Sequence, residues 1–206
     1  MTSRLLVLLL AASSPDAGPQ SSVSKWTSVK GVESRELTFT GKDGQPHVVR
    51  FVLSALKQKK KDDGFERSRE LTVTHSAGSK EIWKARDFVK QCEFDLTLEV
   101  LEGSIRLTDL DGDGEPEVSF LYRLACRSDV SPLDAKLLMY EGTTKYALRG
   151  TTKERVGENE FAGGDFKVDP AFEQAPRQFV EFAKAQWKSL IVDAVASPYL
   201  GYKPPP

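Results

Sequence analysis

Residues 108–117 read TDLDGDGEPE, the densest chemistry in the chain. Asp109, Asp111 and Asp113 alternate, so a tightly wound loop turns all three carboxylates inward. Three anionic oxygens so close repel strongly unless a cation sits between them. Gly112 and Gly114 permit the positive φ angles that such winding demands. Glu115, in the seventh place, offers a backbone carbonyl, and Glu117, in the ninth, offers a fourth carboxylate or holds a bound water. Hard oxygen donors without imidazole or thiolate select Ca²⁺, while Mg²⁺ is disfavoured by its octahedral demands. The expectation is a Ca²⁺ loop whose default role is to brace its hairpin. The competing reading is a solvated Asp-Gly turn. An EF-hand is excluded: the twelfth place is Phe120, Pro116 interrupts, and a strand pattern follows.

Little else in the chain suggests catalysis. His47 and His75 each stand alone in a strand pattern and read as strand residues. Neither HExxH, GxSxG, a Walker loop nor GxGxxG is present. With 30 acidic residues some carboxylate pair will reach glycosidase spacing, which leaves a carboxylate-dependent enzyme open without naming its residues. Cys92 and Cys126, the only cysteines, read as a disulfide, with two buried thiols or half of a metal site as alternatives.

The N-terminus reads as an address. Arg4 precedes the apolar run LLVLLLAA, small residues follow, and Pro15 breaks any helix. That is the layout of a secretory signal, too short for the ~20 residues of a membrane span. A buried N-terminal strand is the other reading. The expected layout is a signal peptide at 1–17, a flexible leader at 18–34, one β-rich domain at 35–197 and a tail at 198–206. The expected location is secreted, periplasmic or in the cell envelope, with no stable membrane insertion after cleavage. With 29 basic against 30 acidic residues, no global field draws the chain to nucleic acid.

The elements that must position the loop are mostly strands. Leu37 and Phe39 alternate with polar residues, Gly41 to Gly44 makes a turn, and HVVRFVL returns as a hairpin. Lys57, Lys59, Lys60 and Lys61 belong to a charged loop tip at 57–63. A second pair runs from ELTVTH through a turn to Glu81–Trp83. Phe94, Leu96, Leu98 and Val100 form one face of a half-buried strand, and Val118, Phe120, Tyr122 and Leu124 form one face of another. Lys136–Tyr140 and Lys145–Leu148 make a third hairpin. From Pro176, the residues Phe179, Phe182, Ala183, Trp187, Leu190, Ile191 and Ala194 fall on one helical stripe. The fold class is therefore α+β: antiparallel hairpins in a meander, with one C-terminal amphipathic helix packed on the sheet.

Trp83, Asp87-Phe88, Cys92, Asp95, the 109–117 loop, Tyr122, CRSDVSP at 126–132, Lys136-Leu137, Met139 to Gly142, Lys145-Tyr146 and Arg149-Gly150 carry a resemblance. On these residues the chain resembles a family of secreted bacterial proteins catalogued as surface polysaccharide biosynthesis proteins. Its acidic loop also resembles the calcium loops of integrin-type β-propeller blades, with carboxylates at places one, three, five and nine before a strand. The resemblance implies a role at the cell surface and supplies no catalytic residues. Asp129, Lys136, Lys145 and Arg149 make the candidate ligand-facing surface; an Asp129–Arg149 structural ion pair is the alternative. The expected function is an exported Ca²⁺-binding envelope protein, non-enzymatic, that binds surface polysaccharide or assists its assembly. The alternative is a secreted glycan-active enzyme using carboxylates.

Overall fold

The computed structural model describes residues 19–62, 64–158 and 160–192. The expected signal segment and tail lie outside the described residues, as do Ala194 and the end of the expected domain. The first sheet is built from β1 (Ser21–Val23), β2 (Thr27–Val29), β3 (Val32–Thr40), β4 (Pro46–Leu53), β5 (Lys57–Lys61), β6 (Gly64–Ala77) and β7 (Lys80–Cys92). The second takes β8 (Asp95–Val100), β9 (Arg106–Thr108), β10 (Glu117–Arg127), β11 (Asp134–Glu141) and β12 (Thr144–Thr151). A small hairpin, β13 (Lys153–Arg155) with β14 (Phe161–Gly163), precedes β15 (Phe166–Val168), which joins the edge of the second sheet beside β12. All pairing within the two large sheets is antiparallel, as the hairpin pattern predicts. Gly150 lets β15 come close, because a Cβ there would lie 1.8 Å from the carbonyl oxygen of Asp165.

The sheets pack face to face. Phe51 of the first meets Phe120 of the second edge-on at 5.1 Å between ring centroids, and Trp83 stacks on Tyr140 at 3.9 Å. Leu37, Val49, Leu71, Val73, Val118 and Leu138 fill the space between. Cys92, ending β7, is disulfide-bonded to Cys126 near the end of β10, so the bond ties one sheet to the other.

The other face of the second sheet is covered too. Helix α1 (Arg177–Leu190) lays Phe179, Ala183 and Trp187, all fully buried, onto Leu121, Leu137, Met139 and Leu148. Burying each large apolar side chain is worth roughly 1.5–3 kcal/mol, so this stripe, not local propensity, holds the helix. Gln186 stands in the same buried face, where Ser119 Oγ donates to its Oε1 at 2.9 Å and its Nε2 donates to the Ser104 carbonyl.

Four local expectations are corrected. β10 is buried on both faces, because Ser119 and Leu121 meet the helix while Phe120 and Tyr122 meet the first sheet. Lys57–Lys61, four lysines and Gln58, forms an edge strand rather than a loop tip, paired along β6 with every residue exposed. Charged lysines on an edge are compatible with pairing on one side only. The expected flexible leader contributes β1, β2 and the start of β3. Phe94 precedes β8 and is 53% exposed instead of facing inward.

Candidate metal centre

The acidic loop connects β9 to β10, whose register pairs Glu117 with Thr108. Gly112 and Gly114 adopt φ of 75° and 83°, the left-handed turns that let the chain coil back on itself. The aspartates then accept from the loop's own backbone. Asp113 N–H donates to Asp111 Oδ1 at 3.2 Å, Gly114 N–H to Asp109 Oδ1 at 3.4 Å, and Glu115 N–H to Asp113 Oδ1 at 2.6 Å.

Glu117 closes the loop from below. It is fully buried, and its carboxyl accepts from Thr108 Oγ1 at 2.7 Å and from Leu110 N–H at 3.0 Å. Burial pushes this carboxyl above its ordinary value, against the opposing pull of those hydrogen bonds. It therefore acts both as a candidate ligand and as the anchor of the loop.

The carboxylates gather in two overlapping groups. Oxygens of Asp109, Asp111 and Glu117 lie within 4.8 Å of one another, and so do oxygens of Asp111, Asp113 and Glu141. Two oxygens on opposite sides of one Ca²⁺ at about 2.4 Å each span the same distance. The groups are thus of a size to take a hard cation, and Asp111 is common to both. Glu115 contributes no side chain to either group.

Glu141 is the residue that sequence reasoning missed. It ends β11 directly opposite Glu117. Burial raises its pKa first, and the charges of Asp111, Glu117, Asp113 and Glu115 raise it further. Burial first, and then the charge of Glu141, lift the phenol of the neighbouring Tyr146 on β12 as well. The β10–β11 hairpin, recognisable from its alternation, is the signal that could have placed Glu141 beside Glu117. One cation of the protein already visits the loop: Lys42, in the turn between β3 and β4, reaches Asp113 at 3.7 Å.

The candidate ligand-facing residues do not form one free surface. Lys136 and Arg149 are cross-strand partners, and Lys167 extends their row onto β15. Lys136 Nζ sits 2.5 Å from Asp87 Oδ2, to which Tyr122 also donates at 2.8 Å. Burial pushes Asp87 up, but the hydrogen bonds from Lys136 and Tyr122 outweigh it and hold the carboxyl low. Arg149 pairs with Asp169 at 2.7 Å, and the positive charge of Lys145 also acts on that carboxyl. Asp129 turns back to Ser131 in the loop after β10, so the Asp129–Arg149 pair is replaced by Arg149–Asp169. Among the described residues no helix is long and apolar enough to cross a membrane. No protein family, curated protein or solved structure matches the chain.

Proposed function

We propose that the chain is an exported envelope protein whose β-sandwich is braced by Ca²⁺ at the 109–117 loop, and that it binds surface polysaccharide or assists its assembly without turning it over. One observation carries the metal part: Asp111 belongs to two carboxylate groups at once, joined by Glu141 from the next hairpin. Five acids so close repel one another, and a divalent cation relieves that repulsion where one lysine only partly does. The disulfide between the sheets is compatible with an oxidising compartment. The polysaccharide part rests on the resemblance set out above; in the Lys136–Arg149–Lys167 row, Lys136 and Arg149 are engaged by Asp87 and Asp169 and have only their remaining N–H donors for acidic or hydroxylated sugars.

Calorimetric titration of the full chain with Ca²⁺, then with Mg²⁺, tests the first part; Ca²⁺ binding tighter than Mg²⁺ is expected, and no heat with either overturns it. Incubation with a panel of envelope polysaccharides tests the second. Retention with unchanged glycan supports the binding reading, and release of shorter sugars replaces it with the enzyme.

A further inference from the structure

The two histidines, each expected to stand alone, meet. His47 near the start of β4 and His75 near the end of β6 are 8% and 5% exposed. His47 Nδ1 and His75 Nε2 are 2.8 Å apart, and His47 Nε2 faces Asp43 Oδ1 at 3.3 Å. The remaining nitrogen, His75 Nδ1, is buried with no partner. Phe39 of β3 and Trp83 of β7 wall the pair, with ring centroids 5.0–5.6 Å away. Gly41 lets the turn fold over His47, since a Cβ there would lie 2.5 Å from Nε2.

These contacts dictate where the protons sit. The Asp43 carboxyl, held low first by the Gln45 N–H and then by His47, is ionised and can only accept. His47 therefore carries its proton on Nε2, leaving Nδ1 as an acceptor. His75 must then donate from Nε2, and its Nδ1 is a bare lone pair. A further proton has no good place. On His75 Nδ1 it makes a buried N–H without an acceptor. On His47 Nδ1 it evicts the His75 donor, whose proton must move to that same orphaned position.

We propose that Asp43, His47 and His75 form a proton-gated latch, closed while both rings are neutral and opened by acid, joining the 41–45 turn to the β6–β7 end of the first sheet. The charged and titratable groups around it are few. Asp43 faces it from the turn, and Lys42 points to Asp113 instead. On β7, Glu81 and Lys84 meet each other at 4.0 Å. Tyr140 of β11 lies behind Trp83, and burial pushes its phenol up to about 12, so it stays neutral. Burial lowers His75 from 6.5 to about 4, and any positive charge on His47 would push it the same way. The folded value lies below the unfolded one, so the latch is fully closed above 6.5 and weakens as pH falls towards 4.

Long-range ¹⁵N-edited imidazole spectra of the full chain at pH near 7 test the proton assignment. Both rings neutral with Nε2–H are expected; a ring with Nδ1–H, or an imidazolium at neutral pH, overturns the latch. Amide exchange then tests the opening. Corrected for intrinsic rates, the opening constant at 40–47 and 76–80 should rise about tenfold per pH unit on acidification below the unfolded value. Amides beside Cys92 and Cys126 should not follow. An acid response shared equally by both ends of the sandwich overturns the proposal. His75→Phe keeps an aromatic ring but removes the proton site, so its 40–47 amides should lose the acid response. An unchanged profile in that variant overturns the latch, and the spectra of the unmodified chain decide if the variant does not fold.

Discussion

Glu117 and Glu141 stand opposite each other in the β10–β11 ladder, and each belongs to a different carboxylate group that shares Asp111. Like charges directly opposite in a ladder destabilise a sheet unless something neutralises them. Here burial raises both carboxyls, Asp111 raises each further, and the charge of Glu117 adds to the shift of Glu141. The same pair thus weakens the metal-free hairpin and prepares it for a cation.

Ca²⁺ should stabilise the protein and chelation should reverse the effect. Binding to the folded state alone adds about 2.7 kcal/mol at a hundredfold excess over Kd. Extracellular Ca²⁺ modules bind at roughly 10⁻⁴ to 10⁻³ M, so millimolar Ca²⁺ should raise Tm by a few degrees and EDTA should lower it again. Asp111→Ala should erase the response, because it removes the residue common to both groups. In EDTA that variant should melt no lower than the unmodified chain. Melting curves that ignore both Ca²⁺ and EDTA reduce the loop to an acidic turn.

The pH dependence of the metal-free protein follows from the raised carboxyls. A carboxyl whose folded pKa exceeds its unfolded value binds protons more tightly when folded, so its contribution is present at low pH and is lost as pH rises through the folded value. For Glu117 and Glu141 that window starts at the ordinary value of 4.5 and extends above it. Glu141→Gln should flatten this part of the stability curve in EDTA and weaken Ca²⁺ binding at neutral pH. Denaturant melts across the acidic range check the first effect, and calorimetry checks the second. A variant with the unmodified pH profile would remove Glu141 from the site.

Much of this arrangement is legible in residue order, and the remainder is not for identifiable reasons. The Asp-Gly alternation announces the loop because its geometry is local. The helix stripe announces α1 for the same reason. Glu141 is invisible until the β10–β11 register is known, since nothing near it in sequence is acidic in a pattern. The two-sided burial of β10 hides behind Ser119, a polar residue that is buried because Gln186 accepts its hydroxyl proton. His47 and His75 meet only because β4 and β6 are neighbours although β5 lies between them in sequence.

Removing the disulfide should cost stability without touching the metal loop. The bond closes 34 residues of chain between the sheets, worth about 3–4 kcal/mol on the chain-entropy account. Cys92→Ser with Cys126→Ser should lower the free energy of unfolding by up to that amount and leave the Ca²⁺ affinity within twofold, since neither cysteine belongs to either carboxylate group and thiolate is not a hard-cation ligand. The native protein should resist alkylation until it is reduced. Stoichiometric labelling before reduction would contradict the bond.

Lys42 should compete with any cation bound at Asp113. The ammonium lies 3.7 Å from Asp113 Oδ2, with both side chains about half exposed, so the pair itself contributes only ~0.2–1 kcal/mol. Any Ca²⁺ held by Asp113 must either displace that ammonium or sit beside it, and both options cost affinity. Lys42→Met retains most of the aliphatic stem that packs near Gly114 while deleting the charge. It should therefore tighten Ca²⁺ binding by about 1.5–5-fold, the factor equivalent to that pair energy. In EDTA the same change should lower stability slightly, because the loop loses its one internal counter-charge among the described residues. Raising ionic strength should shrink the difference in affinity between variant and unmodified chain, since both partners are reached by solvent. Calorimetry at low and high salt reads all three effects. Weaker binding in Lys42→Met would mean that the lysine shapes the loop and does not compete for it.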